Sequence, residues 1–230
     1  MLTTLLFIAV LIAAVADWVA VAKGWKRIEY FAKPATMVLL FGWLSLARGF
    51  GAAPLIYFGL GIFFSLAGDI FLMVSYARFS NRWFLPGLAA FLFAHVAYII
   101  GLNTPVGGLS LIEAIGIAII LTIMTARILQ RILAGVREKG LQRLVIPVMA
   151  YGTVITLMLL SAILTLNRLD WKVSAAGLVG VGATLFYFSD IILAWNKFVK
   201  PVRNGRVINM AAYHLGQIAL IGGAILQFAK

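Results

Sequence analysis

Cysteine is absent from the 230 residues, which removes disulfides, thiolate metal sites and cysteine nucleophiles and leaves the redox compartment undetermined. Charge is scarce too. Charged residues make up 11% of the chain, against roughly a quarter in a soluble domain. Histidine occurs twice and no HExxH-type run exists. A three-histidine zinc hydrolase is thereby excluded, and no metal or other cofactor is expected. What remains is 63% hydrophobic, with a mean hydropathy of +1.06. No soluble core of this length needs that much apolar surface.

The apolar residues fall in blocks long enough to cross about 30 Å of hydrocarbon at about 1.5 Å per residue. Short clusters of Arg, Lys, Asn, Pro and Gly separate them. The pattern predicts an all-α polytopic membrane protein with eight transmembrane helices, near 2–22, 34–48, 54–77, 84–102, 109–134, 144–166, 172–195 and 207–229. The connections are too short for a soluble domain, so residues 1–230 read as one integral membrane domain. The first span has no basic leader and no clear cleavage site before Lys23, and is expected to be retained.

Lys and Arg are retained on the cytoplasmic side of short loops. Fifteen of the nineteen basic residues fall in or beside the odd-numbered connections, among them Lys33, Arg137, Lys197 and Lys200, and four on the opposite side: Arg48, Arg168, Lys172 and Lys230. Eight spans with both termini on the non-cytoplasmic side fit that asymmetry, in the inner membrane if the host is bacterial. The same pattern accounts for most of the net charge of +12. Membrane lipids, rather than nucleic acid, are the expected partners. The oligomeric state is not encoded in any visible signal.

An ionised side chain at membrane depth costs at least about 2.5 kcal/mol, so acids inside spans carry information. Two lie well within one: Asp69, in Gly68-Asp69-Ile70, and Asp190, in Ser189-Asp190-Ile191. Asp17 and Glu113 fall nearer span ends, and Glu29, Glu138 and Asp170 read as loop residues. Each central Asp sits in the third span of a four-span half, and His95 and His214 follow them by 26 and 24 residues. This suggests a 4+4 internal repeat in which both carboxyls face one cavity at similar depth. The alternative is that each merely bonds a neighbouring helix.

Helical spacing adds neighbours. Ser65 lies one turn before Asp69, and Lys197 lies seven residues after Asp190 on the same face. Asn209, Tyr213 and Gln217 form a stripe at steps of four that should face the bundle interior, with His214 off to its side. His95 and Tyr98, one turn apart, read equally as packing or pocket lining. Lys33 and Pro34 open the second span, where Pro suits a first turn and Lys an interfacial anchor.

Lys33-Pro34, Gly68-Asp69 with Leu72-Met73, His95 with Tyr98, Phe188-Ser189-Asp190 with Leu193, Asn196, Lys197 and Phe198, and Tyr213 with Gln217 occur in this order over most of the chain. In these residues the sequence resembles the YhhN-like lysoplasmalogenases, eight-span membrane proteins. The resemblance implies an ether hydrolase that cleaves the vinyl ether bond of a lysophospholipid, the lysoplasmalogen, to a fatty aldehyde and a glycerophospho-alcohol. Asp69 and Asp190 would be catalytic. Lys33, Ser65, His95, Tyr98, Ser189, Asn196, Lys197, Tyr213 and Gln217 would line the substrate site, with Lys33, Lys197 or Lys200 holding the phosphate.

The residues agree with that chemistry. A vinyl ether is cleaved by protonating the carbon beta to oxygen, which leaves an oxocarbenium ion for water to attack. One carboxyl serves as acid, while the other stays ionised to stabilise the cation and take the water's proton, as carboxyl pairs do in glycosidases. Which Asp has which role is open at this level. A Ser-His-Asp triad with Ser65 and His95 lacks any elbow motif. The alternative from another class is a proton- or cation-coupled transporter using the same aspartates. Gly68 is the only helix-breaking residue beside either of them. A passive scaffold would leave the polar positions unexplained.

Overall fold

A backbone amide left unpaired in hydrocarbon costs several kcal/mol, so apolar runs close their hydrogen bonds within helices. The computed structural model describes residues 1–47, 51–77, 81–105, 107 and 111–229. Arg48, Arg78 and Lys230, which entered the charge sorting, lie outside them. Eight long helices result: α1 (Leu2–Lys23), α2 (Lys26–Leu46), α3 (Ala53–Ala77), α4 (Phe84–Leu102), α5 (Leu111–Glu138), α6 (Val145–Leu164), α7 (Val173–Ala194) and α8 (Gly205–Phe228). Short 3-10 turns lie between some of them, a π-helical turn, Trp195–Val199, continues α7, and no strand occurs among the described residues. Seven of the eight, all but α2, are long and apolar enough to cross a membrane. The chain is a multi-pass integral membrane protein.

The second helix departs from expectation. The expected span of 34–48 starts eight residues late, because the helix begins at Lys26 and Pro34 lies inside it. Gly24, at φ 71°, ends α1 in the left-handed conformation that glycine adopts at least cost. The chain turns back at once, so Lys26, Arg27, Glu29 and Lys33 enter α2 rather than a loop. Those four charges weaken its apolar signal. Glu29, read as a loop residue, is buried on α2, and Asp17, placed near a span end, is fully buried within α1.

Helix pairing positions the site. The α7–α8 pair is the most extensive, followed by α3–α4 and α1–α2. Small residues let α7 and α8 touch through their backbones: a Cβ on Gly182 would come within 2.8 Å of Gly216 O, and one on Gly216 within 2.9 Å of Gly182 O. Gly68, beside Asp69, has a similar reason. A Cβ there would lie 2.5 Å from the Phe91 ring, and α3 runs unbroken through it. Phe91, Phe186 and Tyr213 stack edge to face, with centroids 5.3 to 6.3 Å apart, at the meeting of α4, α7 and α8.

Helix α5 is peripheral. Its main partners are α6 and the π-turn, while Ile112, Ile115, Ile119, Ile120, Ile123 and Met124 are all exposed, as suits a helix facing lipid. Opposite the basic face, buried Arg168 ties the α6–α7 loop to the end of α4 by donating to Leu102 O at 2.9 Å and Pro105 O at 2.7 Å. It also bonds Asp170, read as a loop residue and found in one, and holds that carboxyl below the usual carboxylate range.

Candidate active site

The polar stripe of α8 organises the centre. Asn209, Tyr213 and Gln217 are all buried, and each bonds a different neighbour. Asn209 Nδ2 donates to Ser189 O on α7 at 2.6 Å. The Tyr213 hydroxyl donates to Asp69 Oδ2 on α3 at 2.7 Å, with Met37 Sδ 3.3 Å away. Gln217 accepts from the Tyr98 hydroxyl on α4 at 2.7 Å and donates to Ser65 Oγ on α3 at 2.9 Å. A single helix face thus ties α3, α4 and α7 together through buried side chains.

The two aspartates line one cavity of ≈ 220 Å³, with Lys33, Ser189, Asn196, Lys197 and Tyr213 also in its wall. Their surroundings differ. Asp69 is 1% exposed and ion-paired with Lys33 Nζ at 2.9 Å. Lys33 is itself buried and lies two turns inside α2, so it does not open the helix as an interfacial anchor. Asp190 is 13% exposed. It accepts from the Tyr151 hydroxyl on α6 at 2.5 Å, and His95 Nε2 lies 3.4 Å from the same oxygen. Because the phenol directs its proton at Asp190, the 2.9 Å contact between His95 Nε2 and the Tyr151 oxygen has the imidazole as donor.

Four of the residues expected to line the site do not reach the cavity wall. Ser65, Tyr98 and Gln217 form a buried chain behind Asp69, and His95 stands behind Tyr151 and Asp190. Asn196 does line the cavity, but its Oδ1 accepts from Val202 N at 2.7 Å and so shapes the turn into α8. Ser189 turns its hydroxyl to Phe186 O at 2.7 Å. Lys197 Nζ sits 4.3 Å from the Phe84 ring centroid at the cavity edge, in the π-helical turn. Lys200 is exposed and outside the wall.

Sequence reasoning missed two contributors, Tyr151 and Glu29, and the depth of a third acid outside the cavity wall. Tyr151 is a lone phenol in an apolar span, a signal that was there to be read. Glu29 lies one turn before Lys33 and ion-pairs with Arg206, and both line the cavity mouth. Asp17, a third acid at depth, lies 3.9 Å from His214 Nδ1, which accepts from Trp18 Nε1 at 3.1 Å. Among the described residues no three His, Asp or Glu side chains are grouped as a metal would need.

Comparison with known proteins fits this arrangement. The YhhN family matches residues 28–224, a stretch holding every site residue from Glu29 to Gln217. Lysoplasmalogenase TMEM86B of Homo sapiens is 28% identical over 143 residues, 62% of this chain and 54% of that protein. The Sus scrofa protein of the same name is 31% identical over 156 residues, 64% and 56% of the two chains, and the Mus musculus one 36% identical over 84 residues, 36% and 33%. These matches span about half the length of the curated relatives, or less. No solved structure matches. The match across seven of the eight long helices, together with a polar centre built from the residues that first suggested the likeness, places this chain in the YhhN family.

Proposed function

We propose that the chain hydrolyses the vinyl ether bond of lysoplasmalogen-type lysophospholipids within the bilayer. The observation that carries this is one cavity walled by two carboxyls of different setting, Asp69 held by an ammonium and Asp190 by a phenol with an imidazole beside it. Asp190, as the acid, gives its proton to the carbon beta to the ether oxygen, leaving an oxocarbenium ion. The Asp69 carboxylate, fixed by Lys33 and Tyr213, faces that cation and takes a proton from the attacking water. The neutral hemiacetal then passes its hydroxyl proton to Asp190 while the leaving oxygen takes one from Asp69, which restores both groups and releases aldehyde and alcohol. Lys197 and Arg206, at the mouth, suit the phosphate.

The transporter reading is not favoured. Broken helices are usual at transporter sites, whereas α3 and α7 run unbroken through Asp69 and Asp190. The topology we propose has eight spans, with α2 the eighth at about 31 Å for its 21 residues, and both termini non-cytoplasmic. A 4+4 repeat is supported by the partners of the acids. Each takes one from the preceding helix, Lys33 or Tyr151, and one from the last helix of the other half, Tyr213 or His95.

Incubating the purified protein in detergent with a lysoplasmalogen should release fatty aldehyde, with oxygen from labelled water in the aldehyde once re-exchange is controlled. Absence of aldehyde from any vinyl ether lysolipid would remove the reading.

A further inference from the structure

A second cavity, of ≈ 70 Å³, shares Phe84, Asp190 and Leu193 with the first. It leads away between α4, α5, α6 and α7, and its far walls include Leu88, Ile128, Leu129, Ile132, Val148 and Ile155. Two of its hydroxyls are already committed, Tyr151 to Asp190 and Thr156 to Gly152 O at 2.7 Å. Along α6 it runs from Val148 to Thr156, about 12 Å at the helical rise. The polar cavity with its lysines and arginine and the narrow apolar one therefore adjoin at Phe84, Asp190 and Leu193.

We propose that this second cavity holds the single hydrocarbon tail of an amphiphile whose charged headgroup occupies the first. The proposal deepens the hydrolase reading and rests on it. An amphiphile laid across the two puts the junction of headgroup and tail at Asp190, where a vinyl ether carries the carbon to be protonated. The residues facing the tail, Leu129 and Gly152 above all, then set which chain lengths are accepted. A Cβ on Gly152 would meet Leu129 Cδ1 at 2.8 Å, so a larger residue there must displace Leu129 into the groove. The loosely packed α5 forms one wall, so a tail can enter sideways from the bilayer.

The test compares hexenyl and hexadecenyl vinyl ether lysolipids on the parent, Leu129→Trp and Gly152→Leu. Leu129 is only partly buried, so its variant should fold even if the second does not. Loss of even one methylene contact in an apolar pocket changes kcat/KM by about tenfold or more. The ratio of kcat/KM for the long ether to that for the short one should therefore fall at least that far. An unchanged ratio, or equal loss on both, would overturn the groove. A non-hydrolysable alkyl lysophosphatidylcholine with a diazirine at the chain end supplies a readout that needs no turnover. Its adducts should map to residues 128–132 and 148–156, whereas adducts on α1 or on the lipid-facing Ile119 and Ile123 would refute the proposal. A parent that releases no aldehyde yet labels the groove would sink the hydrolase reading alone.

Discussion

From the sequence, Asp→Asn at either central acid reads as a near-isosteric exchange of little cost to folding. The Lys33–Asp69 pair changes that for one of them. At 2.9 Å, with side chains 8% and 1% exposed, the two charges have almost no solvent to fall back on. Removing one partner of such a pair leaves the other uncompensated, at a cost of about 3–5 kcal/mol. A chain of this size loses roughly 2–4 °C of unfolding temperature per kcal/mol. Lys33→Met and Asp69→Asn should each lower it by roughly 6–20 °C in detergent. The double variant leaves a neutral amide that still reaches the Tyr213 hydroxyl, and should be more stable than either single one. Asp190→Asn keeps a group that the Tyr151 hydroxyl can reach, and should stay near the parent. The assay is thermal unfolding of all four variants by fluorescence at one detergent concentration. Effects of Lys33→Met and Asp69→Asn that simply add, within about 0.5 kcal/mol, would refute the buried pair.

Asp190→Asn should lower aldehyde release by about 10² to 10⁴, the worth of a general acid, with KM little changed; near-parental turnover would return Asp190 to a structural role. Gly216→Leu pushes a side chain into the backbone of α7 at Phe186 N and Gly182 O, 2.8 and 2.9 Å from its Cβ. Overpacking of this kind costs about 1–3 kcal/mol, so unfolding should come earlier, and an unaffected unfolding temperature would contradict the α7–α8 contact. A tag at Met1 should be reached from outside intact cells and one near Arg137 should not; Met1 found inside would remove the eight-span orientation.

Much of the fold was legible because the bilayer allows so few solutions. Seven spans follow from length and hydropathy, and their ends fall within a few residues of the helices found, save where α5 runs on to Glu138. The second span was expected too, but the first eight residues of α2 escaped because its charged first turns read as a loop, and polar residues conceal a helix whenever they face a protein cavity rather than water. The inward stripe of Asn209, Tyr213 and Gln217 was legible from spacing alone. Which helix each would meet was not. Periodicity fixes the face a residue occupies but not the partner opposite, so the sequence could not pair Lys33 with Asp69, nor bring Tyr151 from α6 to Asp190. The site residues behind the wall have the same origin. Ser65 and Gln217 share a face with their neighbours yet bond each other, which only the α3–α8 packing decides.

The likeness of the Asp69 and Asp190 segments also hid what separates them. Each carboxyl is met from two directions, by the helix before it and by α8 for Asp69 or α4 for Asp190. Yet the first direction delivers an ammonium to Asp69 and a phenol to Asp190. Two equivalent acids in one cavity would repel each other if both were ionised and would offer no base if both were protonated. A single cation at one of them breaks the tie. In the mechanism we propose, it would keep the negative charge on Asp69 and leave the acid's part to Asp190, which accepts from the Tyr151 phenol and lines both the polar cavity and the apolar one. On this account Lys33, four residues C-terminal to Glu29 on a helix too polar to score as a membrane span, turns a symmetric pair into an acid and a base.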